Sequence, residues 1–360
     1  MPSIQSESKP FKAGFLSIFK FVFFLGLGIL IIWLSIKDLT EVERQEIINA
    51  FRTADYYWVI LALGLGILSH LVRSLRWMMF MEPMGYKPHL RNSFYAVMIG
   101  YMANLAFPRL GEVTRCGILA KYEKIPFNKS LGTVITERAI DMLIFLGLFI
   151  LMIVTQVGTI REYLDETIYP KLVAKFGTLH YSRLFWLTTS SLVTLVTVLF
   201  FIFRVRLRKF KLYQQIKNLI IGFWEGLKSL SKIKRPWLFI LYSLGIWALY
   251  FMTLYVCFFC FPSTSNLSLG AGLSALVLGS IGIMITPGGI GLYPALIQET
   301  LKLYGISLTT GLALGWITWT TQTLMILIVG GISLLLLSIN KTHYGKTGTD
   351  KNQDSQPGTN

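Results

Sequence analysis

The sequence predicts an all-α integral membrane protein with about six full transmembrane helices plus two re-entrant helical hairpins, arranged as an inverted repeat. Of the 360 residues, 53% are hydrophobic and only 14% are charged, whereas soluble domains carry about 25% charged residues. Apolar stretches of spanning length recur along the chain, and two others are broken by proline. The formal charge of +16 lies mostly in short segments between apolar stretches, which is typical of membrane topology signals rather than of nucleic-acid binding.

Six stretches reach the roughly 20 apolar residues that a helix needs to cross a bilayer. They are 15–36, 57–81, 131–157, 184–203, 237–261 and 309–338. Two further apolar stretches, 93–107 and 269–303, are interrupted at Pro108 and Pro287. We therefore expect each of these two to form a hairpin.

The domain organisation follows from these stretches. We expect a cytosolic N-terminal segment at 1–14, a polytopic membrane domain at 15–340 and a disordered cytosolic tail at 341–360. The membrane domain has pseudo-halves of about 15–158 and 184–338. Before the second crossing, 38–56 is expected to form an external amphipathic helix.

Basic residues predict the orientation, because cytoplasmic loops are enriched in Lys and Arg. The segment 204–235 is densely basic and contains one acid, Glu225, so we expect it to be cytosolic together with both termini. This arrangement requires that 93–127 enters from the cytosol and that 269–303 enters from outside. Each half then has three crossings, so the second half is inverted relative to the first. Inverted repeats with broken helices are the architecture of alternating-access carriers.

The first broken stretch carries charge. Asn104 precedes the break, and Arg109, Glu112 and Arg115 follow Pro108 at i, i+3 and i+6. On a helix beginning after Pro108 they would project from one side, with Glu112 able to pair with either arginine. The planar guanidinium binds phosphate oxygens through two hydrogen bonds, so we favour an anion site over a solvated loop held by a surface ion pair.

Two other charged groups lie within apolar stretches. Arg73 and Arg76 share a helix face, where they either extend to the headgroups or contact a lipid phosphate. Glu137, Arg138 and Asp141 open the third crossing and serve either structural ion pairing or the site.

The second broken stretch has no charge at its break. Gly288, Gly289 and Gly291 allow unusual backbone angles and would expose amides at the N-terminus of the following helix, which attracts phosphate or carboxylate. A tight hairpin tip needing small residues explains the same pattern. Cys257 and Cys260 form a Cys-x-x-Cys inside an apolar helix, where packing is favoured over redox or metal chemistry.

The sequence contains no phosphate-binding Gly-x-x-x-x-Gly-Lys-Ser/Thr motif, no His-rich metal pattern and no nucleophile elbow. We therefore expect no ATP, metal or other cofactor to be bound.

At these motifs the chain resembles the flippase-like membrane domain of the lysylphosphatidylglycerol synthase transmembrane-region family. The resemblance rests on Arg-Ser-Leu-Arg-Trp from Arg73, Pro-Arg-x-Gly-Glu from Pro108, Glu-Arg-x-x-Asp from Glu137 and Pro-Gly-Gly-x-Gly from Pro287. It implies a protein of the cytoplasmic membrane that is similar to a lipid translocator and moves headgroup-modified or polyprenyl-linked lipids between leaflets.

The chain departs from the family pattern in two ways. The aminoacyl-transferring soluble domain of full synthases is missing, so synthesis of lysylphosphatidylglycerol is not expected. Family members often carry an acid shortly after the Pro-Gly-Gly-x-Gly run, where this chain has Pro294, and the next acid is Glu299.

Three functions remain open. The first is a lipid translocator in which Arg109 and Arg115 hold an anionic headgroup, with Glu112 as a gate. The second is a membrane transferase acting on a lipid-linked substrate, with Glu112, Glu137 or Asp141 as general base. The third is a non-catalytic membrane partner of a lipid or glycan synthase.

Overall fold

The computed structural model describes residues 40–107, 109–163 and 233–349, with isolated positions between 26 and 37 and between 170 and 194. Over these residues the chain forms helices and turns without a strand, which confirms the predicted all-α class. Apart from these isolated positions, the predicted crossings at 15–36 and 184–203 lie outside the described residues, as does most of the basic segment 204–235.

We number the described α-helices in chain order. They are α1 (Glu41–Thr53), α2 (Tyr56–Met81), α3 (Leu90–Ala106), α4 (Leu110–Tyr122), α5 (Phe127–Tyr163), α6 (Pro236–Val256), α7 (Leu269–Ile285), α8 (Leu292–Lys302) and α9 (Leu308–Thr349). Short 3₁₀ helices follow α2, α6 and α7, at Glu82–Met84, Cys257–Cys260 and Pro287–Gly289.

Four described segments are long and apolar enough to cross a membrane. They are Tyr56–Met84, Phe127–Thr159, Pro236–Cys260 and Leu308–Ile339. Each agrees with a predicted crossing to within a few residues, so four of the predicted crossings are confirmed as helices of spanning length. The total of six crossings stays a prediction.

The chain divides into two compact units, one ending at Val134 and resuming at Ile233, the other beginning at Ile135. In the second unit the described part is the remainder of α5. Its exposed apolar side chains include Met142, Leu146, Ile150 and Val154, spaced four residues apart. This spacing places them on one helix face, as expected of a lipid-facing surface.

In the first unit, α2 and α6 pack side by side in opposite directions. The Asp55 amide, just before α2, donates to the Cys260 carbonyl at 3.0 Å. At the other end of the pair, Phe80 meets Phe239 with ring centroids 5.1 Å apart. These two helices are the second crossings of the two predicted halves, and their antiparallel packing agrees with an inverted arrangement.

Each of these helices is followed by a helical hairpin. Helix α3 ends before Pro108 and folds back as α4, while α7 ends before Pro287 and folds back as α8. Proline ends a helix because it lacks an N–H and restricts the preceding residue. The hairpins are therefore observed where the sequence predicts breaks, and their re-entry into a membrane stays a prediction.

Helix α9 packs against both hairpins. A Cβ added at Gly315 would lie 2.8 Å from the Pro294 Cα in α8, and one added at Gly330 would lie 2.9 Å from the Met102 Cβ in α3. Glycine therefore permits close helix contact at both places. Helix α9 continues to Thr349, past the predicted tail boundary at 340, and the rest of the tail lies outside the described residues.

Helix α1 lies within the predicted amphipathic segment. Its N-terminus has a capping box, in which the Thr40 hydroxyl accepts from the Glu43 amide at 3.2 Å and the Glu43 carboxylate accepts from the Thr40 amide at 2.7 Å. These hydrogen bonds lower the pKa of Glu43. The box sets the start of the helix.

Candidate functional site

Three arginines lie in the interior of the first unit. The exposed fractions of Arg73, Arg76 and Arg115 are 2%, 0% and 4%. A charged residue at membrane depth costs roughly 2.5–3.5 kcal/mol on insertion scales, so such residues mark functional sites by default. The small exposed fractions place Arg73 and Arg76 inside the protein, so neither side chain extends to the headgroups.

Arg73 lies between two tyrosines from different helices. Its Nε donates to the Tyr250 hydroxyl at 3.2 Å. The guanidinium carbon is 5.9 Å from the ring centroid of Tyr101 and 5.8 Å from that of Tyr250, within the range of a cation–π interaction. The His70 ring lies 4.6 Å from the Tyr101 ring. Arg73 is thus at the junction of α2, α3 and α6.

Arg115 reaches the same region from α4. Its guanidinium lies 4.4 Å from the Trp77 ring centroid. The Trp77 indole N–H donates to the Thr133 hydroxyl at 2.9 Å, and that hydroxyl donates to the Ser130 carbonyl at 2.6 Å. Because the Thr133 proton is committed to Ser130, its lone pair is left for the indole, which fixes the ring plane against Arg115.

Arg76 lies on the interface between α2 and α6. Its Nη1 donates to the Ser243 hydroxyl at 3.4 Å. Together with Arg73 and Arg115, Arg76 forms a set of three buried cations that we call the arginine cluster. The cluster joins residues about 40 positions apart in the first half to partners near 243–250 in the second half.

The tip of the first hairpin separates the charged residues that the sequence placed together. Arg109 precedes α4 with φ of 69° and its side chain is exposed, whereas Glu112 is half-buried and Arg115 is buried. The prediction that all three project from one side of a helix is wrong. The left-handed conformation of Arg109 places it before the first helical residue, so helical spacing does not apply to it.

Asn104 closes this hairpin. Its side-chain Oδ1 accepts from the Gly111 amide at 2.7 Å, one of the amides that a helix N-terminus leaves without an intrahelical partner. Asn104 is thus observed as a cap for α4.

The tip of the second hairpin consists of glycines in left-handed backbone conformations, with φ of 60°, 76° and 72° at Gly288, Gly289 and Gly291. The Gly289 amide donates to Thr286 at 3.0 Å, and the Ile290 amide to Pro287 at 3.4 Å. These amides hold the tip together, in agreement with the tight hairpin tip that explains the same glycine pattern, and contact between the tip amides and a ligand stays a prediction.

The two hairpin tips touch. A Cβ added at Gly288 would lie 2.9 Å from Leu105 Cδ2 at the end of α3. The Trp319 indole of α9 donates to the Gly288 carbonyl at 2.8 Å. Tyr101, whose ring contacts Arg73, is four residues before Leu105, which corresponds to about 6 Å along a helix. The contact between the tips therefore lies about one helical turn from the arginine cluster.

The third charged group lies on α5 in the second unit. Glu137 and Asp141 are buried and Arg138 is exposed. The two acids are four residues apart on one face of the helix.

Several residues at the site were not predicted from the sequence. They are Tyr101, Thr133, Ser243, Tyr250 and Trp319. The aromatic residues could have been found from the occurrence of Tyr and Trp within apolar helices. When these side chains are buried, the Tyr hydroxyl and the Trp indole N–H usually have hydrogen-bond partners. Among the described residues, no group of three or more His, Cys, Asp or Glu side chains could hold a metal ion.

Comparisons with known proteins identify relatives over parts of the chain. Over 160 residues it is 30% identical to a UPF0104 membrane protein of Methanocaldococcus jannaschii, covering 44% of each chain. A UPF0104 membrane protein of Methanothermobacter thermautotrophicus is 29% identical over 112 residues, 30% of this chain and 33% of the relative. Glycosyltransferase AglD of Haloferax volcanii is 26% identical over 124 residues, 34% of this chain and 20% of the relative.

Each match thus spans less than half the length of the relative. No solved structure matches the chain. Residues 17–330 match the family described as Lysylphosphatidylglycerol synthase TM region, and the chain therefore belongs to that family.

Proposed function

We propose that this protein translocates an anionic or headgroup-modified lipid between the leaflets of the cytoplasmic membrane. The observation that carries the proposal is the burial of Arg73, Arg76 and Arg115 beside the contact between two hairpin tips. Family membership supports a function related to membrane lipids or glycans.

The chemistry of the arginine cluster favours an anionic ligand. Arginine remains charged at any physiological pH and presents a planar fork of donors that fits phosphate oxygens. Three such groups in a membrane protein interior favour a site that receives a negative charge. The rings of Tyr101 and Tyr250 both face the guanidinium of Arg73. Both tyrosines are part-exposed.

The two hairpins define the path of the lipid in this proposal. In carriers built from inverted repeats, broken helices meet near the midplane and open alternately to each side. Here the exposed Arg109 would meet the headgroup first, and the arginine cluster would receive it next. Glu112, between them on α4, would act as the gate, and the Leu105–Gly288 contact would part to release the lipid.

The lipid class has two candidates. A phospholipid headgroup satisfies the arginines through its phosphate. A polyprenyl-linked sugar carries the same phosphate chemistry, and the match to a protein named glycosyltransferase AglD favours it as the second candidate. In that case the chain would work with a glycan synthase as its partner, and the two would co-purify.

The test is a leaflet-exchange assay on the full chain reconstituted into vesicles. Vesicles carry a fluorescent anionic phospholipid, and a membrane-impermeant quencher reports the fraction of probe reaching the outer leaflet. We expect wild type to expose inner-leaflet probe, and both Arg109→Ala and Glu112→Gln to abolish the exchange. Arg91→Ala is the matched control, because Arg91 is also exposed on the first hairpin and its loss removes the same charge.

Unchanged exchange in both Arg109→Ala and Glu112→Gln would overturn the mechanism. No exchange by wild type of either an anionic phospholipid or a polyprenyl phosphate would overturn the function itself. Size-exclusion profiles of each variant separate loss of function from loss of folding.

A further inference from the structure

A pair of cysteines at the end of α6 has no part in the proposed function. Cys257 and Cys260 begin and end the 3₁₀ helix that follows α6, and both are free thiols with an exposed fraction of 1%. The third cysteine, Cys116, lies apart from them on α4 and is buried too.

The 3₁₀ geometry aligns the two thiols. In a 3₁₀ helix three residues make one turn, so the side chains at i and i+3 eclipse, and a rise of about 2.0 Å per residue sets their Cα atoms about 6 Å apart. Disulfides form at Cα separations of about 4.4–6.8 Å. A disulfide therefore needs little backbone movement.

The pair lies next to an exposed turn and anchors a neighbouring helix. Pro262 and Ser263, just beyond it, are exposed, so local opening of the turn brings an oxidant to the thiols. The Cys260 carbonyl accepts from the Asp55 amide at 3.0 Å, which ties the pair to the start of α2. A covalent link across the turn would stiffen this attachment.

The position of the pair along α6 indicates its compartment. Lys234 and Arg235 precede the other end of α6, and basic residues mark the cytosolic side of a crossing. The cysteines thus lie at the predicted outer end. Disulfides persist outside the cytosol, where glutathione and thioredoxin do not keep thiols reduced.

We infer that Cys257 and Cys260 are a modification site that closes reversibly into an intramolecular disulfide with a small-molecule disulfide as oxidant. One thiolate attacks the oxidant, forms a mixed disulfide and releases a small thiol. The second thiolate then displaces the other small thiol and forms the Cys257–Cys260 bond. The protein loses two hydrogens, and the oxidant is reduced to two small thiols.

The experiment counts free thiols in the purified full chain by intact mass. Protein is incubated with oxidised glutathione, quenched, unfolded in detergent and labelled with a maleimide. Reduced wild type, with its three cysteines, takes three labels. Oxidised wild type is expected to take one label, on Cys116, to carry no glutathione and to recover all labels after dithiothreitol.

The variants Cys257→Ser and Cys260→Ser are the matched controls. Each is expected to form no intramolecular disulfide, whereas Cys116→Ser still loses both of its labels on oxidation. Three labels on oxidised wild type, or stable glutathione adducts in place of the internal bond, would overturn the inference. The result does not depend on whether the protein moves lipids.

Discussion

The two hairpins have the same layout and different chemistry. Each has a first helix of 17 residues, a break at proline and a shorter returning helix. In the first hairpin the polar groups include Asn104, Arg109 and Arg115. In the second, the break carries no charged residue, and the returning helix packs through Tyr293. Of the two hairpins, the first therefore contributes a buried arginine, Arg115, to the arginine cluster, while the second supplies a compact tip.

Close helix packing depends on glycine in both hairpins, but to different degrees. A Cβ at Gly111 would overlap the Gly100 carbonyl and lie 2.7 Å from the Asn104 Cγ. A Cβ at Gly282 in the second hairpin would lie 3.0 Å from the Tyr293 Cα. The first hairpin is therefore the less tolerant of added volume, and this difference can be measured.

The largest effect is expected for Gly111→Ala. The added methyl meets backbone that cannot move without opening the hairpin, so we expect a loss of about 3 kcal/mol or more, the upper end of overpacking costs. Thermal unfolding in detergent measures it. Gly117→Ala on the same helix meets nothing within 4 Å and should be neutral or gain up to about 1 kcal/mol of helix propensity. Equal effects of the two substitutions would contradict the packing of α3 on α4.

The second-largest effect is expected for Thr133→Val. It keeps the shape of the side chain but leaves the buried Trp77 indole N–H without its acceptor, at a cost of about 1–3 kcal/mol. Since the ring plane of Trp77 would no longer be fixed against Arg115, native mass spectrometry should show less retained anionic lipid. Thr114→Val, which loses a hydroxyl on the exposed side of α4, should retain lipid as wild type does. Full lipid retention by Thr133→Val would remove the positioning role.

Gly282→Ala should cost less than Gly111→Ala, about 1–2 kcal/mol, because the contact with Tyr293 is tight without overlap. The same unfolding assay applies, with Gly331→Ala as the control that has open space around it. A loss as large as that of Gly111→Ala would show that the second hairpin tolerates added volume no better than the first.

Trp319→Phe is expected to have the smallest effect on stability, about 1 kcal/mol for one lost hydrogen bond. The Gly288 carbonyl would lose the indole donor that holds the second tip. We expect faster leaflet exchange, since the tips would part more readily. Trp316→Phe, a change to the neighbouring ring, is the control, and a slower exchange in Trp319→Phe alone would argue against a holding role.

The sequence predicted local features of this fold and missed those that need distant partners. Hydropathy located four spanning helices to within a few residues, and Pro108 and Pro287 located both breaks, because proline acts on its own neighbours. Helical spacing put Arg73 and Arg76 on one face. It could not identify what covers that face, because Tyr250 and Ser243 lie more than 160 positions away.

The tip of the first hairpin shows the same limit at short range. The i, i+3, i+6 spacing assumed that Arg109 is helical, but the residue has φ of 69°, which is uncommon outside glycine. A non-glycine residue in this conformation is set by the surrounding structure rather than by its own preference. Sequence spacing therefore predicted Arg115 and Glu112 on α4 but misplaced Arg109.

The proposed lipid movement requires the two hairpin tips to part, and cross-linking the tips tests this requirement directly. In a chain whose three native cysteines are replaced by serine, Leu105→Cys and Gly288→Cys would place thiols where the tips meet. The account predicts that leaflet exchange stops when the pair is oxidised and returns on reduction, while Leu105→Cys alone is insensitive to oxidant. Exchange at an undiminished rate through a fully cross-linked protein would contradict it.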